Sequence, residues 1–258
     1  MKKMILIDIK RNILSFYFIS ALILMIVSFL INFYFNILNL DSEGQGTIIT
    51  FLKTTLFPIN TLNITSPIIA VLAGGLNYYF SYSSGYVKQE LMFNKKNYLF
   101  SKMLSSFISG FLVFFIGFLI IYLIVLSFDQ SVSIKYSIDY YILAFRKIFE
   151  TSLLGYSLIH ILNYCILGGL FAIFGTAIST VFKNQFMIVI IPFLFYTLSS
   201  MITSSFGDIL GLIVFILPNS TFMHFGLGIE LIIKDFIVIL LWGLVIGNIG
   251  FNKNKLSI

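Results

Sequence analysis

The sequence predicts an all-α integral membrane protein with six transmembrane helices. Hydrophobic residues make up 59% of the 258-residue chain, and the mean hydropathy is +1.03. Charged residues are 10% of the chain, against about 25% in ordinary soluble domains. The apolar residues also gather into runs long enough to cross roughly 30 Å of hydrocarbon, which takes about 20 residues of helix. This composition excludes a soluble enzyme, a disordered regulator and a nucleic-acid binder that works through basic patches. Cys165 is the sole cysteine, so no disulfide can close within the chain and a stapled secreted domain is excluded too.

Six runs meet the length criterion, at 13–35, 62–82, 105–128, 152–180, 185–204 and 231–251. Together they leave little sequence for an extramembrane domain, so residues 1–258 form a single membrane domain. The runs are too continuous for β-barrel strands, which are about 10 residues long with alternate polar positions. Ahead of the first run, Met4, Ile5, Ile9 and Ile13 share a face while Lys3, Lys10 and Arg11 lie elsewhere. This predicts an amphipathic helix over 2–12 lying in the interface, the alternative being a basic tail. No small-residue cleavage site follows the first run, so it reads as a span and not as a cleaved signal.

The net charge of +6 divides unevenly between the two sides that six spans create. The side holding the N-terminus, the 83–102 loop, the 181–184 turn and the C-terminal tail has eleven bases against Asp8 and Glu90, a net +9. The other side has five bases against eight acids, a net −3. Basic loops stay in the cytoplasm, so both termini are expected there. The excess charge is thus topology and not an affinity for nucleic acid. On the acidic side, 36–61 reads as a loop with a short helix near 47–56. The later part of 129–150 suits a helix lying on the surface. Residues 209–217 are apolar, too short to cross and followed by Pro218, which predicts a re-entrant element between spans five and six.

The 83–102 loop is the one extended loop on the basic side. Tyr86, Leu91, Met92 and Phe93 make an apolar edge, and Lys88, Glu90, Lys95, Lys96 and Lys102 surround it. Such a segment reads either as a short helix made to sit in a partner's groove or as an interfacial loop held by Lys and Tyr. Here the chain resembles the type-2 permeases of ATP-binding-cassette exporters. In these, span two is followed by a glycine, an apolar pair and basic residues leading into span three. The matching positions are Gly85, Leu91 or Met92, Lys95 with Lys96, and Lys102; Asn94 stands where a proline often precedes the basic residue. The resemblance covers the whole chain in architecture, from the basic interfacial helix through six spans and the re-entrant element to the basic tail.

The resemblance implies a bacterial cytoplasmic-membrane subunit that pairs with a second permease copy or a homologous permease. It would dock 85–102 on a separate ATP-binding subunit. The chain has no Gly-x-x-x-x-Gly-Lys-Ser/Thr loop, so ATP and Mg would be held by that partner and no cofactor by this chain. Spans two and five line the path in the proteins it resembles, which places Asn77, Tyr78, Tyr79, Thr197, Ser199 and Ser200 on a candidate path. The same hydroxyl and amide groups also commonly bond across helices. An uncharged path suits an amphipathic peptide, a lipid-like molecule or a drug. Small permeases of this kind in low-GC Gram-positive bacteria export or resist antimicrobial and toxin peptides.

Two other readings stand beside this one. An ATPase-independent immunity protein would sequester a toxin without a nucleotide-binding partner. A secondary carrier would need intramembrane charges, which the span centres lack. An enzyme is not expected. His160 and His224 have no His-Glu-x-x-His context, and the four glutamates, Glu43, Glu90, Glu150 and Glu230, are isolated from one another. Gly74 with Gly75, Gly168 with Gly169, and Gly243 with Gly247 read as sites of close helix packing. Asn63 and Asn219 match a glycosylation acceptor triplet, discounted for a bacterial chain.

Overall fold

The computed structural model describes residues 2–38, 61–85, 95–128, 144–206, 216–218 and 228–255. All regular structure among them is helical. Helix α1 spans Lys2–Ile13, α2 Phe16–Leu38, α3 Thr61–Ala70 and α4 Asn77–Ser83, with a π-helical turn at Val71–Gly75 between α3 and α4. Helix α5 spans Lys95–Phe128, α6 Arg146–Thr151, α7 Leu153–Val181, α8 Gln185–Phe206 and α9 Ile229–Lys255. Four helices are long and apolar enough to cross a membrane, over Phe16–Tyr34, Tyr98–Ile124, Leu154–Val181 and Gln185–Thr203. The chain is an all-helical protein with the composition of a membrane protein.

Helix α7 is the axis of the bundle: 89% of its apolar window is buried, against 28% for α2 and 22% for α8. It packs on α5, α9, α8 and the π turn. An apolar helix buried on all sides is the centre of a bundle, whereas α2 and α8 present Ile19, Ile23, Leu194 and Leu198 outward. Glycines set the closest crossings. Gly110 of α5 faces Gly168 of α7, Gly75 faces Gly175, and Gly247 of α9 lies against Met103 and Ala177. The glycine pairs singled out in the sequence are therefore packing positions, as their spacing predicted.

The expected second span, 62–82, is a broken helix and not a continuous one. Pro67 lies inside α3 and removes a backbone donor, and the π turn follows at once. Gly74 and Gly75, within that turn, let it approach neighbouring backbone closely. The Gly74 carbonyl accepts a 2.9 Å bond from Ser106 Oγ. Pro192 is accommodated inside α8 without a break. Asn63 is buried and accepts from the Tyr164 hydroxyl, which puts it out of reach of glycosylation. Tyr164→Phe should lower stability by about 1 kcal/mol, the usual scale of one interhelical bond, as read by thermal denaturation in detergent.

The expected third span, 105–128, starts ten residues early. Helix α5 begins at Lys95 and runs for 34 residues, about 51 Å at 1.5 Å per residue. It absorbs the second half of the loop expected over 83–102. The first, fourth, fifth and sixth runs correspond to α2, α7, α8 and α9 with shifts of a few residues at their ends. Gly85, at φ 77°, closes α4 in the left-handed conformation, its N–H bonded to the Tyr82 carbonyl at 3.1 Å; such a C-terminal position favours glycine. Of the surface helix expected within 129–150, α6 is the described part. The short helix near 47–56 and all but the last two residues of the re-entrant element expected over 209–217 lie outside the described residues, as does Asn219.

The ends of the bundle differ in charge. Contacts join α1, the end of α4, the start of α5, the end of α7, the start of α8 and the end of α9. Tyr17 meets Gln185 at 3.4 Å, the Lys183 ammonium lies 4.6 Å from the Tyr82 ring, and Gly250 abuts Thr180. Among the described residues this end has ten Lys or Arg and one acid, Asp8. The opposite end has Arg146, Lys147 and Lys234 against Glu150, Glu230 and Asp235.

Candidate functional site

The basic end contains a buried polar cluster built by α1, α4 and α5. Asp8, Arg11 and Asn12 are three and four residues apart, so they share one face of α1. Asp8 and Asn12 are 2% and 7% exposed, so this polar face points into the bundle. Leu6 and Ile7, each 65% exposed, point out. A helix forms where one is expected over 2–12, and its expected apolar face, Met4, Ile5, Ile9 and Ile13, is half-buried beside the buried Asp8 and Asn12. The reason is chemical: the interior offers Asp8, Arg11 and Asn12 each a polar partner.

Asp8 Oδ1 accepts from Lys102 Nζ at 2.7 Å and from Arg11 Nη2 at 3.0 Å. The same Arg11 nitrogen donates to Asn77 Oδ1 at 2.7 Å and Ser81 Oγ at 2.8 Å. Asn77 Nδ2 donates onward to Ser105 Oγ at 2.8 Å, and Asn12 Nδ2 to Ser109 Oγ at 3.1 Å. The Lys102 ammonium also lies 5.3 Å from the Tyr98 ring centroid. Burying a lone charge is costly unless it is paired and hydrogen-bonded, and here each charge has a counter-charge. The network pins α1 to the end of α4 and the start of α5, the two helices that flank 86–94.

The expected docking residues divide three ways. Lys102 has no exposed surface, which removes it from any docking surface: it is an interior partner of Asp8. Gly85 closes α4, and Lys95 with Lys96 opens α5. Tyr86, Lys88, Glu90, Leu91, Met92 and Phe93 lie outside the described residues.

The expected path residues do not come together either. Asn77 and Tyr78 are buried at the basic end, Asn77 within the cluster and Tyr78 against Tyr98 with ring centroids 6.2 Å apart. Tyr79 is half-buried there, its ring 5.5 Å from that of Phe80. Thr197 lies twelve residues beyond Gln185 on α8, about 18 Å further along the bundle. The Thr197 hydroxyl returns to its own helix at Phe193, and that of Ser199 at Tyr196. Ser200 is half-buried beside them. A polar residue in an apolar helix need not line a path, because its own backbone can satisfy it.

Asp8 and Arg11 were missed as site residues. The signal was present: Asp8 is one of two acids on the basic side, set among four bases over 2–12, Lys2, Lys3, Lys10 and Arg11. His160 is buried between Tyr156 and Tyr164 of its own helix. No group of three metal-ligating side chains occurs among the described residues. The chain matches no family model, no curated protein and no solved structure.

Proposed function

We propose that the chain is the membrane subunit of an ATP-driven exporter of the type-2 permease kind, with six spans and both termini in the cytoplasm. The observation that carries this reading is the cluster at the basic end. It ties a basic N-terminal helix to both helices that flank 86–94. A push on that segment from a partner ATPase would therefore reach α1, α4 and α5 together. The ten-to-one excess of bases at this end supports its cytoplasmic placement. The bundle's passes alternate in direction, and α9, uncharged from Phe236 to Asn252, supplies the sixth.

In this reading a second permease completes the path, and alternating access moves an amphipathic peptide, a lipid-like molecule or a drug. ATP and Mg belong to the partner chain. The test is co-purification with the ATPase encoded beside it, followed by ATPase assays in vesicles. Leu91→Asp and Phe93→Asp should each cut association and stimulated hydrolysis at least tenfold, the scale of losing one buried apolar anchor. Unchanged association in both variants would remove the docking role. An immunity protein acting alone would instead protect cells when the partner's ATPase is inactive.

A further inference from the structure

We infer that α4 is a lever that swings on the π turn at Val71–Gly75 while α3 stays fixed. The inference rests on how the two pieces are held and not on the exporter reading.

Three observations converge on a joint at this place. First, the two sides are held by different chemistry. Helix α3 buries Leu62, Ile69 and Ala70, and the π turn after it is clamped between two backbones. A Cβ at Gly74 would lie 2.5 Å from the Ser106 carbonyl oxygen, and one at Gly75 would lie 3.2 Å from Gly175 Cα. Close-packed contacts of this kind resist sliding. Helix α4 has no aliphatic residue, and the residues it buries are Asn77, Tyr78 and Ser81. Side-chain hydrogen bonds tie it down, from Arg11 to Asn77 and Ser81, from Asn77 to Ser105 and from Lys183 to Tyr82. Such bonds exchange for others, to water included, at small net cost, and Arg11 and Lys183 are long enough to follow a shift. Second, the backbone changes course here. Pro67 removes an amide donor within α3, and π turns are places where helices kink and where functional sites recur.

Third, α4 has room to move. A cleft of about 260 Å³ separates Leu72, Asn77 and Phe80 from Ser15, Phe16 and Tyr17 at the junction of α1 and α2. Protein interiors hold few voids larger than a water molecule, so this cleft is the clearance that a tilting helix needs. At 1.5 Å per residue α4 is about 10 Å long, so a tilt of about 20° carries Ser83 roughly 4 Å. The fixed end is the glycine clamp, and the free end runs through Gly85 into 86–94.

Double electron–electron resonance on the full chain in nanodiscs tests this, with nitroxide labels in a Cys165→Ala background. Ser83→Cys on α4 and Ile64→Cys on α3 are exposed positions. Each is paired with Leu119→Cys on the outer face of α5. The Ser83–Leu119 distances should spread about 4 Å more widely than the Ile64–Leu119 distances. Leu72→Trp, which fills the cleft from its half-buried wall, should narrow the Ser83 spread to that of Ile64. Arg11→Gln, which cuts two ties to α4, should widen the Ser83 spread and leave Ile64 unchanged. Equal spreads for the two pairs in the otherwise wild-type chain would overturn the proposal, whether or not either variant folds. So would a Ser83 spread unaltered by Leu72→Trp, or parallel widening of both pairs in Arg11→Gln, which is the behaviour of one rigid rod.

Discussion

Lys102→Met should be among the most destabilising substitutions in the chain. It leaves the Asp8 carboxylate buried with one of its two cations, and its second oxygen, Oδ2, already has no hydrogen-bond partner. Removing one member of a buried ion pair costs about 3–5 kcal/mol, because the desolvation of the remaining charge is no longer offset. Asp8→Asn should also be destabilising, since it leaves Lys102 and Arg11 facing each other. The double variant Asp8→Asn with Lys102→Met should recover much of the loss, because the fully buried ammonium goes with the carboxylate and the charge that remains, Arg11, is 38% exposed. Thermal denaturation of the four proteins in one detergent measures this cycle, and the coupling should exceed about 1 kcal/mol. The comparison is Arg146→Ala, which breaks the exposed Arg146–Glu150 pair; exposed pairs contribute little. If Lys102→Met behaves like Arg146→Ala, the buried pair does not hold the helices together.

Gly110→Val should prevent the bundle from closing. A Cβ at Gly110 would lie 2.6 Å from the Gly168 carbonyl oxygen and 2.6 Å from the Ala172 Cβ. Both belong to the central helix α7, and neither is the movable end of a long side chain. Overpacking at such a point typically costs 1–3 kcal/mol and more where backbone must move. Valine adds two further methyl groups to that clash. The fraction eluting as a monodisperse peak on size exclusion should collapse. Gly243→Ala is the control: its Cβ would meet Ile173 Cγ2 at 3.1 Å, a side-chain contact with room to adjust. Near-normal behaviour of Gly110→Val would show that α5 and α7 do not cross where the structure places them.

Hydropathy sufficed for the long helices because lipid and interior impose one requirement on them, a run of apolar residues. It was blind to the break between α3 and α4. Pro67, Gly74 and Gly75 were in plain view, but Pro192 sits in an unbroken helix, so proline alone does not distinguish the two. What separates them is the backbone of α5 and α7 pressing on the glycines, a contact between distant parts of the chain. The cluster was hidden for the same reason. Sorting charges by loop tells which side a lysine occupies, not whether it faces water. Lys102 and Asp8 are 94 residues apart, and neither carries a local mark of its partner. The spacing of Asp8, Arg11 and Asn12 puts them on one face, a pattern passed over beside the apolar face of Met4, Ile5, Ile9 and Ile13, and its inward direction became visible when the partners on α4 and α5 were in place.

The inward polar face of α1 also sets an order of assembly. Asp8 and Asn12 precede their partners, Lys102 and Ser109 of α5, by 94 and 97 residues. Until α5 is in place, the Asp8 carboxylate lacks the Lys102 ammonium that it meets in the folded chain. The polar side of α1 can turn onto its partners only once α5 has been made. Helix α1 is therefore made before α5 and docks after it. A chain truncated before residue 102 should leave α1 open to proteases that the full-length protein excludes.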